Sequence, residues 1–151
     1  ADEWAQLSKA KRRKVGCLIV RDGQIISDGY NGTPAGFDNA CEFVNEGFLD
    51  QAENKLQTKP EVLHAESNAL MKLAKSTNSS KDSTIYLTMS PCFECAKLII
   101  QAGVIRVVYS EKYRNQEGIK FLRSNNVIAE RVTIPDVRTI SAIHDSCGYD
   151  C

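Results

Sequence analysis

The stretch that decides the fold is residues 84–110, TIYLTMSPCFECAKLIIQAGVIRVVYS. It begins with alternating apolar, aromatic and β-branched residues, which are typical of a strand. A helix is predicted from Ser90 to about Gln101, with a proline in its first turn and Gly103 at its end. The residues from 104 to 110 are again apolar and β-branched. This strand–helix–strand order predicts two parallel strands joined by a right-handed crossover.

Nearer the start of the chain, the pattern predicts an antiparallel hairpin. Residues 15–20, VGCLIV, form a near-continuous apolar run, and residues 24–28, QIISD, form the returning strand. Asp22-Gly23 between them is a favoured two-residue hairpin turn. Ahead of the hairpin, residues 2–13 predict a short helix that ends in the basic run 11–14.

Three further elements complete the predicted domain: helices at 64–75 and 116–125 and a strand at 127–133. Residues 29–59 are predicted to form a long loop with a weakly amphipathic piece near 41–55, and loops of this length are often functional. We therefore predict an α/β fold with three layers, α/β/α, around a mixed five-stranded sheet. Its first two strands are expected to pair antiparallel and its last three parallel.

The length and composition predict a single domain over residues 1–151, with a core at about 12–133 and a tail at 134–151. The pattern of the tail is ambiguous and is compatible with one helix. Hydrophobic residues make up 42% and charged residues 25%, which is typical of a globular protein. Because 19 basic residues balance 19 acidic ones, we expect no general attraction to nucleic acid or to an anionic membrane. No apolar run is long enough to span a membrane, and no secretion signal is visible, so we expect a cytoplasmic protein.

The six cysteines point to free thiols, because the chain is long enough to fold without disulfides and shows no secretion signal. They are Cys17, Cys41, Cys92, Cys95, Cys147 and Cys151. Cys17 is predicted to be a buried apolar residue of a strand. Cys92 and Cys95 form a C-x-x-C pair, which indicates either a metal site or a redox dithiol.

His64 and Glu66 stand at the start of one predicted helix, and Cys92 and Cys95 stand at the start of the next. In α/β sheets, ligands gather where strands end and helices begin. One imidazole and two thiolates suit a catalytic Zn²⁺ ion, since three protein ligands leave the fourth position for water. Glu66 is then placed to transfer protons as a general acid and base.

Other interpretations of these residues have specific requirements. A redox dithiol of the thioredoxin type follows a different strand order. A structural zinc site needs a fourth ligand. Only His144, Cys147 or Cys151 offers one, and only if the tail folds back onto the domain.

The combination of His64-Ala65-Glu66 with Pro91-Cys92-Phe93-Glu94-Cys95 resembles the H-x-E and P-C-x-x-C signature of the zinc-dependent cytidine deaminase superfamily. Further stretches are similar to deoxycytidylate (dCMP) deaminases, including those of phages: Arg13-Lys14-Val15-Gly16-Cys17, Gly29-Tyr30-Asn31-Gly32-Thr33-Pro34-Ala35-Gly36, Ser90 to Lys97, and Gln101-Ala102-Gly103-Val104. The resemblance covers about residues 12–113 and extends more loosely to 133. One departure is Ser67, where the family usually has an apolar residue.

This resemblance implies the cytidine-deaminase-like fold, one catalytic Zn²⁺ per chain, and hydrolysis of dCMP to dUMP and ammonia, which supplies dUMP for dTTP synthesis. It also implies a homohexamer that dCTP activates and dTTP inhibits, each with Mg²⁺. Some phage relatives hold a second zinc ion on Cys and His residues of the insert. Residues 42–63 contain neither type, so no second zinc of that kind is expected.

Several residues are predicted to contact nucleotides. The expected substrate-binding residues are Arg13, Lys14, Asn31, Ala65, Ser90 and Tyr113. Arg13 and Lys14 would donate to the phosphate, and the Asn31 amide would meet a sugar hydroxyl or a base edge. Tyr30 and Gly32 are predicted to contact the effector, because the glycines of this loop could leave backbone N–H groups free for phosphates.

Two alternative functions stay open. A tRNA adenosine deaminase shares the H-A-E and P-C-x-x-C motifs. Its polyanionic substrate favours an excess of basic residues, however, and this chain has no such excess. The second alternative is a zinc-stabilised nucleotide-binding subunit without activity. Such a subunit would most easily keep its zinc ligands and lose the glutamate that transfers protons, but Glu66 is present in this chain.

Overall fold

The computed structural model describes residues 1–45 and 55–133. The helices are α1 (Asp2–Gln6), α2 (Ala65–Leu73), α3 (Phe93–Gln101) and α4 (Glu117–Ser124). The strands are β1 (Gly16–Arg21), β2 (Gln24–Tyr30), β3 (Glu42–Asn45), β4 (Lys55–Thr58), β5 (Thr84–Met89), β6 (Arg106–Glu111) and β7 (Ile128–Arg131).

The main sheet has five strands in the order β2-β1-β5-β6-β7. Strand β1 pairs antiparallel with both β2 and β5, whereas β5, β6 and β7 run parallel. The predicted hairpin and the predicted parallel strands are therefore confirmed. At the centre, β5 alternates between buried and half-buried side chains, as a strand between two layers should.

Two glycines allow helices to pack closely on opposite faces of the sheet. A Cβ atom at Gly29 of β2 would lie 2.6 Å from the backbone nitrogen of Ala69 in α2. A Cβ atom at Gly16 of β1 would lie 2.7 Å from the nitrogen of Ala5 in α1. Gly29 is paired with Cys17, one residue along from Gly16, so the two glycines face opposite sides. Helix α1 thus covers one face of the sheet and helix α2 covers the other.

The core lies between the sheet and helices α2, α3 and α4. Fully buried apolar side chains from strands and helices meet there, among them Cys17, Ile19, Ile85, Ile99, Val107 and Leu122. Cys17 is a buried apolar residue, as the sequence predicts, and its burial raises the pKa of the thiol well above the usual value.

The first helix is shorter than the sequence predicts, since it ends at Gln6 instead of residue 13. The Ser8 hydroxyl accepts from the N–H of Ala10 and donates to the carbonyl of Asn31. These local hydrogen bonds compete with continuation of the helix. The basic run 11–14 is consequently an irregular segment that leads into β1.

Two other boundaries differ from the prediction. The piece near 41–55 begins as strand β3, which pairs antiparallel with β4, and residues 46–54 between them lie outside the described residues. Helix α3 begins at Phe93, because Ser90 still donates its N–H to the Glu111 carbonyl and Cys92 is the N-cap. The tail, with His144, Cys147 and Cys151, also lies outside the described part. None of the described helices is long and apolar enough to cross a bilayer.

Candidate active site and metal centre

The N-termini of α2 and α3 bring the predicted metal ligands together. His64 is the N-cap of α2 and Cys92 is the N-cap of α3, while Cys95 lies in the first turn of α3. The Cys92 sulfur accepts a hydrogen bond from the backbone N–H of Cys95 at 3.5 Å. Because helix N-termini carry partial positive charge, both favour anionic groups between them.

The three ligand atoms have the spacing of a tetrahedral metal site. The Nδ1 atom of His64 lies 3.5 Å from Cys92 Sγ and 3.4 Å from Cys95 Sγ, and all three ligand atoms lie within 4.8 Å of one another. Sulfur and nitrogen ligands at usual Zn²⁺ distances are separated by ~3.6 Å across a tetrahedral edge. The donor set and its geometry therefore fit Zn²⁺, and they leave one position for a water or a substrate.

The contacts among the three ligand side chains shift their pKa values in different directions. Contacts with the Cys95 thiol and with His64 lower the pKa of Cys92 to about 4. The same contact with Cys92, together with burial, raises the pKa of Cys95. The contact with Cys92 raises the pKa of His64. The protons held here are those that a metal displaces on binding.

Glu66 lies in the first turn of α2, two residues after His64, and it is only 4% exposed. Burial raises the pKa of its carboxyl above the usual value, because a charged group loses its hydration there. A carboxyl with a raised pKa can both accept and return a proton near neutral pH. Glu66 also lines the cleft next to the ligands, so its carboxyl is within reach of a molecule in the cleft.

A cleft of about 370 Å³ opens above these residues. The metal ligands His64 and Cys92 and the carboxyl of Glu66 line this cleft. Its walls also include the segment before β1, the β3–β4 hairpin and the loop after β6. The other lining residues are Arg12, Arg13, Val15, Asn31, Glu42, Thr58, Val62, Ala65, Met89, Ser90, Tyr113 and Arg114. This volume is in the range of small-molecule sites.

Five of the six predicted substrate-binding residues line this cleft, and Lys14 does not. The Lys14 ammonium donates instead to the carbonyl of Gln6 at 3.3 Å. Arg13 lies at the rim, where its Nη1 atom is 3.3 Å from Glu111 Oε2 in an exposed ion pair. Arg12 and Arg114 also line the cleft, although no motif in the sequence marks either residue.

The Asn31 side chain holds the backbone of the basic segment. Its Oδ1 atom accepts from the N–H of Val15 at 2.8 Å, and its Nδ2 atom donates to the carbonyl of Arg13 at 2.9 Å. A primary amide has one further N–H and one further lone pair. Those remain for a molecule in the cleft, so Asn31 can serve the backbone and a ligand together.

Ala65, Ser90 and Tyr113 form the inner wall near the metal ligands. The buried Ser90 hydroxyl accepts from the N–H of Tyr113 at 2.7 Å, which ties the loop after β6 to the end of β5. The Arg114 guanidinium lies 5.7 Å from the centre of the Tyr113 ring. This contact places a cation and an aromatic ring side by side in the cleft.

A family comparison adds to this geometry. Residues 1–111 match the family described as the cytidine and deoxycytidylate deaminase zinc-binding region. The chain belongs to this deaminase family. The matched residues include all three ligands and Glu66, which the structure brings together at the two helix N-termini.

Named relatives of this deaminase-family chain are deoxycytidylate deaminases. The enzyme of Enterobacteria phage T4 is 35% identical over 76% of this chain and 76% of its own length. The human enzyme is 42% identical over 75% of this chain and 62% of its own length. A crystal structure of dCMP deaminase from the cyanophage S-TIM5, in complex with dCMP and dUMP, has a TM-score of 0.77 at 42% identity. That match covers 87% of this chain and 90% of the phage chain.

The predicted effector loop lies beside the cleft of this deaminase-family chain. Neither Tyr30 nor Gly32 lines the cleft. The N–H of Gly32 donates to the Leu63 carbonyl, and the N–H of Leu63 donates back to Gly32. The Gly32 N–H is therefore already bonded within the chain, and a contact of Tyr30 and Gly32 with an effector stays a prediction. The loop is instead bonded to the residue that precedes the ligand His64.

Proposed function

We propose that the protein hydrolyses dCMP to dUMP and ammonia at this cleft, with one Zn²⁺ per chain held by His64, Cys92 and Cys95. The observation that carries the proposal is the tetrahedral spacing of these ligand atoms beside the buried carboxyl of Glu66. The similarity to a phage dCMP deaminase whose crystal structure holds dCMP and dUMP supports this choice of substrate.

The chemistry divides between the metal and the chain. Zn²⁺, when bound, would lower the pKa of water to about 7, so that a nucleophile is available at neutral pH. Glu66 takes the two protons of the attacking water in turn and delivers one to the ring nitrogen N3 and the other to the amino nitrogen. The amino group then leaves as ammonia, and the water oxygen becomes the carbonyl oxygen of dUMP. Ala65, Ser90 and Tyr113 enclose the base, and Asn31 offers its free amide N–H and lone pair to the sugar or the base edge.

The arginines at the rim support a substrate that carries a phosphate. Arg12, Arg13 and Arg114 line one cleft, and guanidinium groups bind phosphate through paired N–H donors. In the described structure Arg13 pairs with Glu111, an exposed contact that a phosphate can replace. The Lys14 ammonium is held by the Gln6 carbonyl, and its part in phosphate binding stays a prediction.

We expect dCMP to be preferred over deoxycytidine by a few hundredfold in kcat/KM. Each charge-assisted hydrogen bond to the phosphate contributes about 1.5–3 kcal/mol, so two such bonds account for this ratio. Arg114→Ala and Arg13→Ala should each lower kcat/KM for dCMP and leave the value for deoxycytidine unchanged. Lys14→Ala separates the two assignments, because Lys14 is a neighbouring cation outside the cleft lining, and the structure favours little change in kcat/KM for this variant.

Equal kcat/KM values for the nucleoside and the nucleotide would contradict phosphate recognition. A loss confined to Lys14→Ala would return the role to the lysine that the sequence resemblance suggests. A panel of dCMP, CMP, deoxycytidine, dCTP and a tRNA anticodon stem-loop, each assayed for ammonia release, tests the wider proposal. Release from the stem-loop alone would favour a tRNA adenosine deaminase.

We further propose that the protein is a cytoplasmic homohexamer whose product feeds dTTP synthesis, and that dCTP and dTTP, each with Mg²⁺, regulate it through Tyr30 and Gly32. What supports a coupling is the hydrogen bonding of this loop. Asn31, between the two residues, lines the cleft, and Gly32 is bonded to Leu63 next to His64. A shift of the loop would therefore reach the substrate and a metal ligand together.

We expect dCTP with Mg²⁺ to lower the dCMP concentration that gives half-maximal rate, and dTTP with Mg²⁺ to raise it. Allosteric coupling of about 1–3 kcal/mol corresponds to a 5- to 150-fold change in affinity. The measurement is a set of dCMP saturation curves without effector, with dCTP and with dTTP. Three superimposed curves with intact turnover would show that the chain has no such regulation.

A further inference from the structure

Helix α4 packs directly against the turn that carries the ligand Cys92. A Cβ atom at Gly118 would overlap the carbonyl oxygen of Pro91 and would lie 2.8 Å from both the carbonyl carbon and the carbonyl oxygen of Cys92. Gly118 itself is buried in the first turns of the helix. A glycine inside a helix is unfavourable relative to alanine, so its presence here is explained by this close approach.

The Pro91–Cys92 turn has little freedom to move away from α4. On one side, Ser90 donates its N–H to Glu111 and accepts from the N–H of Tyr113. On the other side, the Cys92 carbonyl accepts the first hydrogen bond of α3, from Ala96, at 2.9 Å. Pro91 is fully buried between these anchors. A displaced turn would break at least one of these contacts.

Helix α4 is equally well fixed. Ile119 and Leu122 are buried in the core. The Phe121 ring lies 4.8 Å, centre to centre, from the ring of Phe93, the first residue of α3. An added methyl group at position 118 therefore cannot be accommodated by a simple shift of α4. The strain is then shared between α4 and the Pro91–Cys92 turn, and the turn carries the ligand Cys92.

We propose that α4 is a positioning element for the zinc centre, and that the missing side chain of Gly118 lets its backbone hold Cys92 Sγ at the correct distance from His64 and Cys95. Gly118 touches neither the metal nor the substrate, so it is a positioning residue and not a catalytic one. The inference rests on the proposed zinc site. It adds that the affinity for Zn²⁺ depends on a helix that contributes no ligand.

The test is the Zn²⁺ affinity of purified protein, measured by competition with a chromogenic chelator. Gly118→Ala is expected to lower it about 10- to 100-fold, the range typical for changes to groups that hold metal ligands in place. Lys120→Gly is the matched control, because Lys120 is exposed on the same helix, whereas Gly118 is buried against the turn. It should lower the Tm of the zinc-free and zinc-loaded protein alike and leave the Zn²⁺ affinity unchanged.

A second variant covers the case in which Gly118→Ala does not fold. Phe121→Leu loosens α4 at the start of α3 without adding an atom, and a smaller loss of Zn²⁺ affinity is expected. A folded Gly118→Ala protein with unchanged affinity would overturn the inference, as would unchanged affinity of Phe121→Leu where Gly118→Ala is unfolded. A parent protein that binds no Zn²⁺ would overturn the proposed metal site itself, and the inference with it.

Discussion

Replacing Glu66 with glutamine is expected to lower kcat by about 10²–10⁴-fold, the usual contribution of a positioned acid and base. Glutamine keeps the size of the side chain and its capacity for hydrogen bonds, but it cannot accept and return a proton. Because Glu66 is not a ligand in the proposed site, the Zn²⁺ content should stay at one ion per chain. Steady-state rates and metal analysis on the same preparation measure both quantities.

Glu94→Gln provides the matched control for this change. Glu94 lies between the two cysteine ligands in the first turn of α3, but its carboxylate is exposed and paired with Lys97. Its replacement should leave kcat within experimental error of the parent protein. Activity of Glu66→Gln within tenfold of the parent would mean that another group carries the proton.

Replacing both Cys92 and Cys95 with serine is expected to abolish Zn²⁺ binding and, with it, deamination. Zn²⁺ binds cysteine as the thiolate, and a serine hydroxyl does not ionise at neutral pH, so two of the three protein ligands are lost. The readout is Zn²⁺ per chain by elemental analysis, together with ammonia release from dCMP.

Cys41→Ser makes the same chemical change at a buried cysteine outside the ligand set. It should retain one Zn²⁺ per chain, because the Cys41 thiol is not one of the ligands and its hydrogen bond to the Asn39 carbonyl, at 3.7 Å, involves none of them. Full zinc content in the double variant would overturn the ligand assignment. Loss of zinc from Cys41→Ser would show that general instability, and not ligand removal, accounts for the result.

The parts of the site that depend on local spacing could be predicted from the sequence. His64 and Glu66 share one helix start, and Cys92 and Cys95 share another, so the helical repeat fixes each pair. The order of strands and helices around residues 84–110 then brings the two helix starts to the same edge of the sheet. The structure confirms this arrangement of the ligands.

The cleft walls could not be predicted in the same way, because they depend on contacts between segments far apart in the chain. Lys14 and Arg12 are close neighbours in an irregular segment, and no periodicity tells which one faces the cleft. Strand β3 has four residues and carries no hairpin turn signal after it, so Glu42 and Thr58 were not expected there. A glycine at position 118, inside a predicted helix, was a signal of close packing, but the sequence does not say against what.

The β3–β4 hairpin forms a wall of the cleft that carries none of the metal ligands. It is joined to the domain at its base, where Lys59 donates its N–H to Cys41 and the Glu42 carboxylate accepts from the N–H groups of Lys11 and Arg12. The metal ligands and Glu66, in contrast, lie at the N-termini of α2 and α3, next to the main sheet. Changes in this hairpin are therefore expected to alter the fit of molecules in the cleft while the metal ligands and Glu66 keep their places.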